Sequence, residues 1–309
     1  MRVALIPTGK LELLGLAAAL RRLFGDQHEF FCVPRYQDTR EVPFHSFTSA
    51  RLPVASHHDP RSPLAQLVGA MVDAVWTHQA DLAVVLDDLE LYNVGNEPTV
   101  ISEFRAAVLR HLDRVSSRTA LDARQLRDRL RACASFHLVV PMIESWLFAD
   151  PTGPARAGVP LAHLPPRLRP GSDPERFATD DPDYASDDGS RCSAWQSLPP
   201  AYKDRNRPEW LRPTHPRTQH PKRYMAWLCR APDERSCSRY AESTAAAALG
   251  QLDWTAVMAA ADCMQFARAL LCDLALGLAH DPPGIDLSGQ QAQLTSVHTP
   301  RSDRVLRNL

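Results

Sequence analysis

The sequence lacks the features that mark several specialised classes of protein. Its 309 residues carry a formal net charge of −1, so the chain as a whole is no polycation, and any contact with nucleic acid must come from a local basic patch. No segment approaches the ~18 uninterrupted apolar residues of a membrane span, so we expect no membrane partner. The opening run, residues 1–7, is too short for a signal peptide and is followed by Gly9 and Lys10.

Familiar catalytic motifs are missing as well. The sequence contains no nucleophile elbow, no dinucleotide fingerprint, no His-Glu-x-x-His zinc helix and no P-loop spacing. The seven cysteines are odd in number and scattered, which together with the missing signal peptide predicts a reducing, cytoplasmic location. Most of the 26 prolines fall between Pro141 and Pro232, and this concentration predicts irregular structure there.

Short apolar, β-branched runs alternate with segments of helical periodicity through the first half of the chain. The runs predict strands at residues 2–6, 29–33, 81–86 and 136–140, because apolar runs without alternation are typical of strands buried on both faces of a parallel sheet. We therefore predict an α/β fold, a three-layer sandwich around a mostly parallel sheet of four or five strands.

Composition divides the chain into four parts. The predicted α/β domain covers residues 1–150. A Pro-rich irregular insertion, 151–219, follows it, because little periodic apolar pattern remains there. Helical periodicity returns in a C-terminal part, 220–285, and the polar residues 286–309 predict a flexible tail.

Four carboxylates follow two of the predicted strands at the points where those strands end. Asp87, Asp88 and Glu90 come after the third strand, and Glu144 comes after the fourth, within an otherwise apolar segment. Ligands of parallel sheets bind beyond the carboxyl ends of the strands, and clustered carboxylates usually need a divalent cation to offset their repulsion. The pattern predicts a Mg²⁺ (or Mn²⁺) site formed by these four residues. The alternative is that Asp87 and Asp88 are helix caps or surface charges.

A second candidate site lies between the first strand and the first helix. Thr8, Gly9 and Lys10 stand at this junction. Backbone N–H groups at the start of a helix attract anions, and a lysine adds positive charge, so Thr8 and Gly9 are candidate phosphate-binding residues. The alternative is an ordinary strand-to-helix turn that Thr8 caps.

Basic and aromatic residues interleave over residues 195–240. Such interleaving is typical of surfaces that contact phosphates and stack on bases, so nucleic acid is a candidate partner. The alternative is a solvated helix face whose aromatic residues belong to the core. The residues are Trp195, Tyr202, Arg205, Arg207, Trp210, Arg212, Arg217, Lys222, Arg223, Tyr224, Trp227, Arg239 and Tyr240.

Three cysteines and a histidine in the same region are candidate zinc ligands. Cys192, His220, Cys229 and Cys237 could close a tetrahedral site, and a region short of apolar core would gain stability from a structural Zn²⁺. Their spacing does not match a tight Cys-x₂-Cys knuckle. The alternative is three ordinary reduced thiols.

Several of these segments resemble the Toprim family, the small α/β module of primases, topoisomerases and OLD-type nucleases. Asp88-Leu89-Glu90 resembles the family's Asp-x-Asp motif, and residues 143–150 are similar to a Glu-Ala-Trp-Leu-Leu segment of uncharacterised bacterial Toprim-like proteins. Residues 221–224 and 239–244 resemble their C-terminal helical region. The resemblance covers about residues 1–260 with an enlarged insertion. One departure is clear: where the family has Glu before Gly, this chain has Thr8.

The resemblance implies Mg²⁺-dependent cleavage of phosphodiester bonds in nucleic acid, in bacterial defence or toxicity alongside a protein partner. Asp88, Glu90 and Glu144 would hold the metal, and Lys10 and Lys222 would neutralise developing charge. Glu144 then counts as catalytic too.

The missing first acid leaves room for two other interpretations. Glu12 can replace that acid only if its side chain points back to the sheet edge. Otherwise the chain is a non-catalytic, degenerate Toprim module that binds a nucleotide, RNA or a protein partner. A third hypothesis is a zinc-stapled interaction protein without an anion site.

Overall fold

The chain folds around a four-stranded parallel sheet, shown here by a computed structural model that describes residues 1–54, 59–117, 120–231, 237–260, 262–287 and 304–309. The described part of the chain has the strands β1 (Arg2–Pro7), β2 (Glu29–Cys32), β3 (Arg35–Gln37), β4 (Arg40–Val42), β5 (Leu82–Asp88) and β6 (Ala134–Val139). Strands β3 and β4 form a separate hairpin. The sheet order is β2-β1-β5-β6, and every neighbouring pair in it is parallel. The predicted α/β class and parallel sheet are therefore confirmed.

Helices cover both faces of this sheet and make three layers. Strands β1, β5 and β6 are almost wholly buried, which explains their unbroken apolar sequences. Alternate residues of β1 point into separate cores: Val3 and Leu5 face one, and Ala4 and Ile6 face the other. The first five helices are α1 (Lys10–Phe24), α2 (Pro63–Trp76), α3 (Glu97–Ser116), α4 (Ala120–Cys133) and α5 (Glu144–Ala149).

The two cores have different sources in the chain. Helices α2, α3 and α4 cover one face of the sheet, and α1 covers the other together with the C-terminal helices. Gly15 marks how closely α1 and the C-terminal helices approach, because a Cβ at this position would overlap the carbonyl group of Ala246. The C-terminal helices are α10 (Pro221–Leu228), α11 (Glu242–Leu249), α12 (Trp254–Val257) and α13 (Gln265–Leu278).

The insertion is irregular yet packed. Its helices are single turns, and its aromatic residues Phe177, Tyr184 and Trp210 are buried in the core shared by α1 and the C-terminal helices. These apolar anchors hold the insertion against the sheet. Its short helices are α6 (Gly153–Arg156), α7 (Pro182–Ser186), α8 (Ser193–Gln196) and α9 (Pro200–Lys203). Every helix within the described ranges is too short or too polar to span a bilayer.

The stretch after β2 contains the antiparallel hairpin β3–β4, whose turn has Asp38 in the left-handed region. The flexible tail was predicted over residues 286–309, of which 288–303 lie outside the described residues. At the end of the chain Leu306, Asn308 and Leu309 are buried, so a flexible end is not what the described part of the tail shows. The Asn308 side chain pairs with both the N–H and the carbonyl of Phe136. It thereby covers the outer edge of β6, which would otherwise expose unpaired backbone groups.

Candidate active site

A pocket of about 230 Å³ lies at the carboxyl ends of β1, β5 and β6. It combines six carboxylates with two lysines and a histidine. Parallel sheets usually bind ligands at this edge, so the pocket is the best-placed candidate for a functional site. Its lining includes Gly9, Lys10, Glu12, Asp88, Glu90, Glu144, Glu209, His220, Lys222 and Glu242.

Glu12 points back from the first turn of α1 into this pocket. Its side chain is only 1 % exposed, and one carboxylate oxygen, Oε2, is buried without a hydrogen-bond partner among the described residues. Gly9 makes this conformation feasible, because a Cβ there would overlap the Glu12 carboxylate. The space beside Gly9, expected to receive a phosphate, is thus filled by an acid of the chain itself.

The Glu12 carboxyl lies against that of Asp88. Burial is the main cause that raises the pKa of Glu12, to about 7. Burial also raises the pKa of Asp88 well above its ordinary value, and the negative charges of Glu12, Glu90 and Glu144 add to this effect. Two adjacent carboxyls that both resist ionisation share a proton, so the pair carries about one negative charge near neutral pH.

Asp87 lies outside the pocket, although it precedes Asp88 directly. Successive side chains of a strand point to opposite faces, so Asp88 enters the pocket while Asp87 is buried on the other side of β5. Neither Asp87 oxygen has a hydrogen bond of good geometry among the described residues. Burial raises the pKa of Asp87 to about 8, and the nearby hydroxyls of Thr8 and Ser46 offset only part of this shift. The structure thus separates Asp87 from the other predicted metal ligands.

Thr8 has a structural contact rather than a place in the pocket lining. Its hydroxyl accepts a hydrogen bond from the backbone N–H of Asp88 at 3.2 Å. The contact ties the end of β1 to the end of β5, and it fixes the position from which the Asp88 side chain enters the pocket.

Glu90 and Glu144 complete the acidic wall. Glu90 has a left-handed backbone (φ 57°) and its N–H donates to the carbonyl of Pro141 at 3.0 Å. This conformation disfavours non-glycine residues and is often found at functional sites. Burial raises the pKa of Glu90, and the charge of Glu144 adds to the shift. Glu144 begins α5, is 4 % exposed, and accepts a hydrogen bond from the hydroxyl of Tyr240 at 3.0 Å.

Two lysines face these acids, and one glutamate holds both of them. Lys222 Nζ lies 2.7 Å from Glu242 Oε1, and Lys10 Nζ lies 3.2 Å from Glu242 Oε2. Burial alone would lower the pKa of Lys222, but the carboxylates of Glu144, Glu242 and Glu209 hold it above its ordinary value. Lys222 is therefore cationic in this pocket.

The predicted zinc site is wrong. Cys192 and Cys237 are joined in a disulfide, Cys229 is a free buried thiol, and His220 lines the acidic pocket. The disulfide connects the insertion to the segment that leads into α11. Cysteines that are joined in a disulfide have no thiolate left to bind Zn²⁺.

His220 is a neutral imidazole at the pocket. It is 8 % exposed, and burial together with the charge of Arg223 lowers its pKa to about 3. Its Nδ1 atom is buried without a hydrogen-bond partner among the described residues. An uncharged ring of this kind can bind a cation through its lone pair.

The donor set fits a hard cation, although its side chains are not arranged around one. Carboxylate oxygens of Asp88, Glu90 and Glu144 are the ligand type that Mg²⁺ and Mn²⁺ prefer, and no residue in the described ranges donates a hydrogen bond to the buried Asp88 Oδ1. Within the described ranges, no three His, Cys, Asp or Glu side chains already converge in metal-binding geometry. A bound cation would therefore have to displace the shared proton and draw the acids together.

Sequence reasoning missed two acids of the pocket as site residues: Glu209 and Glu242. They lie in or beyond the insertion, far from the strand ends in sequence, and no strand-end signal marks them. Comparison with protein-family models, curated proteins and solved structures gives no match to this chain.

Proposed function

We propose that this chain cleaves phosphodiester bonds in nucleic acid with the help of Mg²⁺ or Mn²⁺. One observation carries the proposal: Glu12, Asp88, Glu90 and Glu144 meet in one pocket, where buried oxygens of Glu12 and Asp88 have only each other as partners among the described residues. Burying unpaired carboxylate oxygens is costly, and such groups are retained where they have a ligand to bind. Glu12 reaches the sheet edge, which is the condition for it to replace the acid that is missing at Thr8.

Each residue has a role in this reaction. Asp88, Glu90 and Glu144 hold the cation, which when bound polarises the scissile phosphate and acidifies a water molecule. Glu12 accepts the proton of the attacking water, because a carboxyl with a pKa of about 7 is well matched to neutral pH. Lys222 and Lys10 neutralise charge that develops on the phosphate oxygens.

A cleavage assay tests the proposal directly. Labelled DNA and RNA are incubated with Mg²⁺, Mn²⁺ or EDTA and with wild type, Asp88→Asn or Glu144→Gln. We expect metal-dependent products from wild type and at least a hundredfold slower cleavage by both variants. Asp113→Asn is the matched control, an exposed aspartate about 24 Å along α3 from its first residue. Cleavage that both site variants retain would contradict the proposal.

The alternative function is a non-catalytic, degenerate Toprim module. It is favoured by the Thr8 hydroxyl, which bonds the Asp88 backbone where the family has an acid, and by the proton that Glu12 and Asp88 share. Such a module binds a nucleotide, RNA or a protein partner without cleaving it. In the same assay, binding without products in either metal would support it.

A role in bacterial defence or toxicity, alongside a protein partner, is supported by the Toprim resemblance alone. The cytoplasmic location was predicted from the odd, scattered cysteines, and the Cys192–Cys237 disulfide is not typical of that reducing compartment. Neither point depends on the chemistry of the pocket.

A further inference from the structure

A second cavity, of about 470 Å³, opens beside the acidic pocket and is formed mainly by the insertion. We call it the basic groove. Its charged side chains are four cations, Arg205, Arg207, Arg212 and Lys222, and two acids, Glu209 and Glu242. Polar or aromatic residues complete it: Asn206, Trp210, Ser238 and Tyr240.

The groove and the acidic pocket are continuous. Glu209, Lys222 and Glu242 line both cavities, so these three side chains form the boundary between them. The charge changes sign across this boundary. The acidic pocket has six carboxylates and two lysines, whereas the basic groove has four cations and two carboxylates. A ligand that carries several phosphates fits this pattern, since one phosphate can approach a cation in the pocket while its neighbours contact arginines.

Two arginines of the groove, Arg205 and Arg212, are available to a ligand, whereas Arg207 pairs with Asp204. Arg205 is exposed and has no ion pair among the described residues. Arg212 pairs with Glu209 at 3.2 Å, but its side chain is 53 % exposed. Exposed pairs of this kind contribute little stability and exchange readily for other anions. A guanidinium group presents a planar fork of donors that matches two oxygens of a phosphate.

Trp210 adds a second, independent indication of a ligand. The residue is 2 % exposed, and its indole N–H is buried without a hydrogen-bond partner among the described residues. It lines the groove beside the arginines. A buried donor without a partner is rare in folded proteins, and an acceptor atom of a bound ligand would satisfy it.

We propose that the basic groove binds the sugar-phosphate backbone of single-stranded nucleic acid and leads it to the acidic pocket. Its volume lies within the range of small-ligand sites, which suits the backbone of an unpaired strand better than a rigid duplex. The idea that the bound strand is a substrate rests on the proposed nuclease function. Binding of the strand in the groove is independent of that function, because binding needs no cation and no cleavage.

Fluorescence anisotropy without metal tests the proposal. The probes are a labelled twelve-nucleotide oligo-dT, an oligo-rU of the same length and a duplex of the same length, all in EDTA. We expect wild type to prefer the single strands. Arg205→Gln/Arg212→Gln should bind them about tenfold more weakly, and the slope of log affinity against log salt should fall by about 1.4. The two single-strand probes decide between DNA and RNA.

Arg22→Gln/Arg114→Gln is the matched control, since both arginines are exposed and lie at the far ends of α1 and α3. Equal affinity and equal salt slope in the groove variant and this control, or preference for the duplex, would overturn the groove proposal. Glu144→Gln separates the two proposals. Strand binding without cleavage by wild type supports the groove and rejects the nuclease. If cleavage needs Glu144 but binding is unaffected by the arginine changes, the nuclease proposal is supported and the groove proposal is rejected.

Discussion

The Tyr240 hydroxyl donates a hydrogen bond to Glu144 Oε1 at 3.0 Å and so joins two residues separated by 96 positions in the chain. Burial is the largest cause that raises the pKa of Tyr240, and the adjacent charge of Glu144 raises it further. The phenol therefore stays protonated and remains a donor at all ordinary pH values. It holds one oxygen of Glu144 in place and leaves the other for a ligand.

Removing this hydroxyl tests whether Tyr240 positions Glu144. Tyr240→Phe keeps the ring, so we expect folding to persist while Mn²⁺ affinity falls about tenfold, the usual effect of losing a partner of a ligand side chain. Isothermal titration with Mn²⁺ measures the affinity. Tyr36→Phe is the control, because its hydroxyl bonds Glu41 on an exposed hairpin. A Tyr240→Phe protein with wild-type Mn²⁺ affinity would show that this hydrogen bond is structural only.

The raised pKa of Glu12 makes stability depend on pH. Its ordinary pKa is 4.5 and its value in the fold is about 7, so the folded protein keeps a proton that the unfolded chain releases above pH 4.5. The free energy of unfolding should then fall as pH rises from 4.5 to 7, by on the order of 3 kcal/mol from this group. Glu12→Gln should flatten that decline in urea unfolding curves. Identical pH slopes in the two proteins would contradict the assignment.

Alanine substitution at Gly9 tests the position of Glu12, and the same substitution at Gly69 is its control. A methyl group at Gly9 would overlap the Glu12 carboxylate, whereas one at Gly69 meets no atom within 4 Å. Because the overlapping atoms end a flexible side chain, Gly9→Ala should displace Glu12 from the pocket at little cost in stability. We expect it to flatten the pH dependence of unfolding as Glu12→Gln does. Gly69→Ala, inside α2, should leave that dependence unchanged and stabilise the protein by up to about 1 kcal/mol.

Asn308 should be important for stability despite its place at the chain end. Asn308→Ala leaves the backbone N–H and carbonyl of Phe136 without their partners at 3.1 and 2.7 Å. We expect a loss of about 2–3 kcal/mol in the free energy of unfolding, the usual penalty for unsatisfied buried groups. Urea unfolding measures it, with Gln251→Ala, an exposed amide, as control. Equal stability of the two variants would show that the chain end is not docked in solution.

The disulfide between Cys192 and Cys237 can be counted and then broken. Thiol titration of the unfolded, unreduced protein should find five free cysteines instead of seven. The bond spans 45 positions, and closing a loop of that length stabilises the fold by about 4 kcal/mol in the chain-entropy account. Dithiothreitol should therefore lower the melting temperature of wild type but not of Cys192→Ser. Seven free thiols would contradict the bond.

The central sheet could be predicted because its strands are buried on both faces and leave an unbroken apolar signal. Strand ends then located Asp88, Glu90 and Glu144, since parallel strands bring their carboxyl ends together. The sequence indicated only that Glu12 could join the site if its side chain pointed back to the sheet edge. That orientation depends on Gly9 and on burial, which no local sequence pattern predicts.

Other parts of the site depend on contacts that are distant in sequence. Glu242 was visible only as part of a resemblance, and its pairing with Lys10 joins residues more than two hundred positions apart. The Cys192–Cys237 bond was mistaken for a metal site because both require cysteines that are close in space. Side-chain alternation along β5 separated Asp87 from Asp88, a distinction that composition alone could not make.

Lys222, Tyr240 and Glu242, which balance and orient the acids of β5 and α5, all come from the last third of the chain. During synthesis on the ribosome the sheet and its carboxylates emerge first, while their cationic and tyrosine partners are still being made. The acidic pocket can be assembled only after translation has passed α11. A prematurely terminated chain would therefore carry the acids without the side chains that balance and orient them.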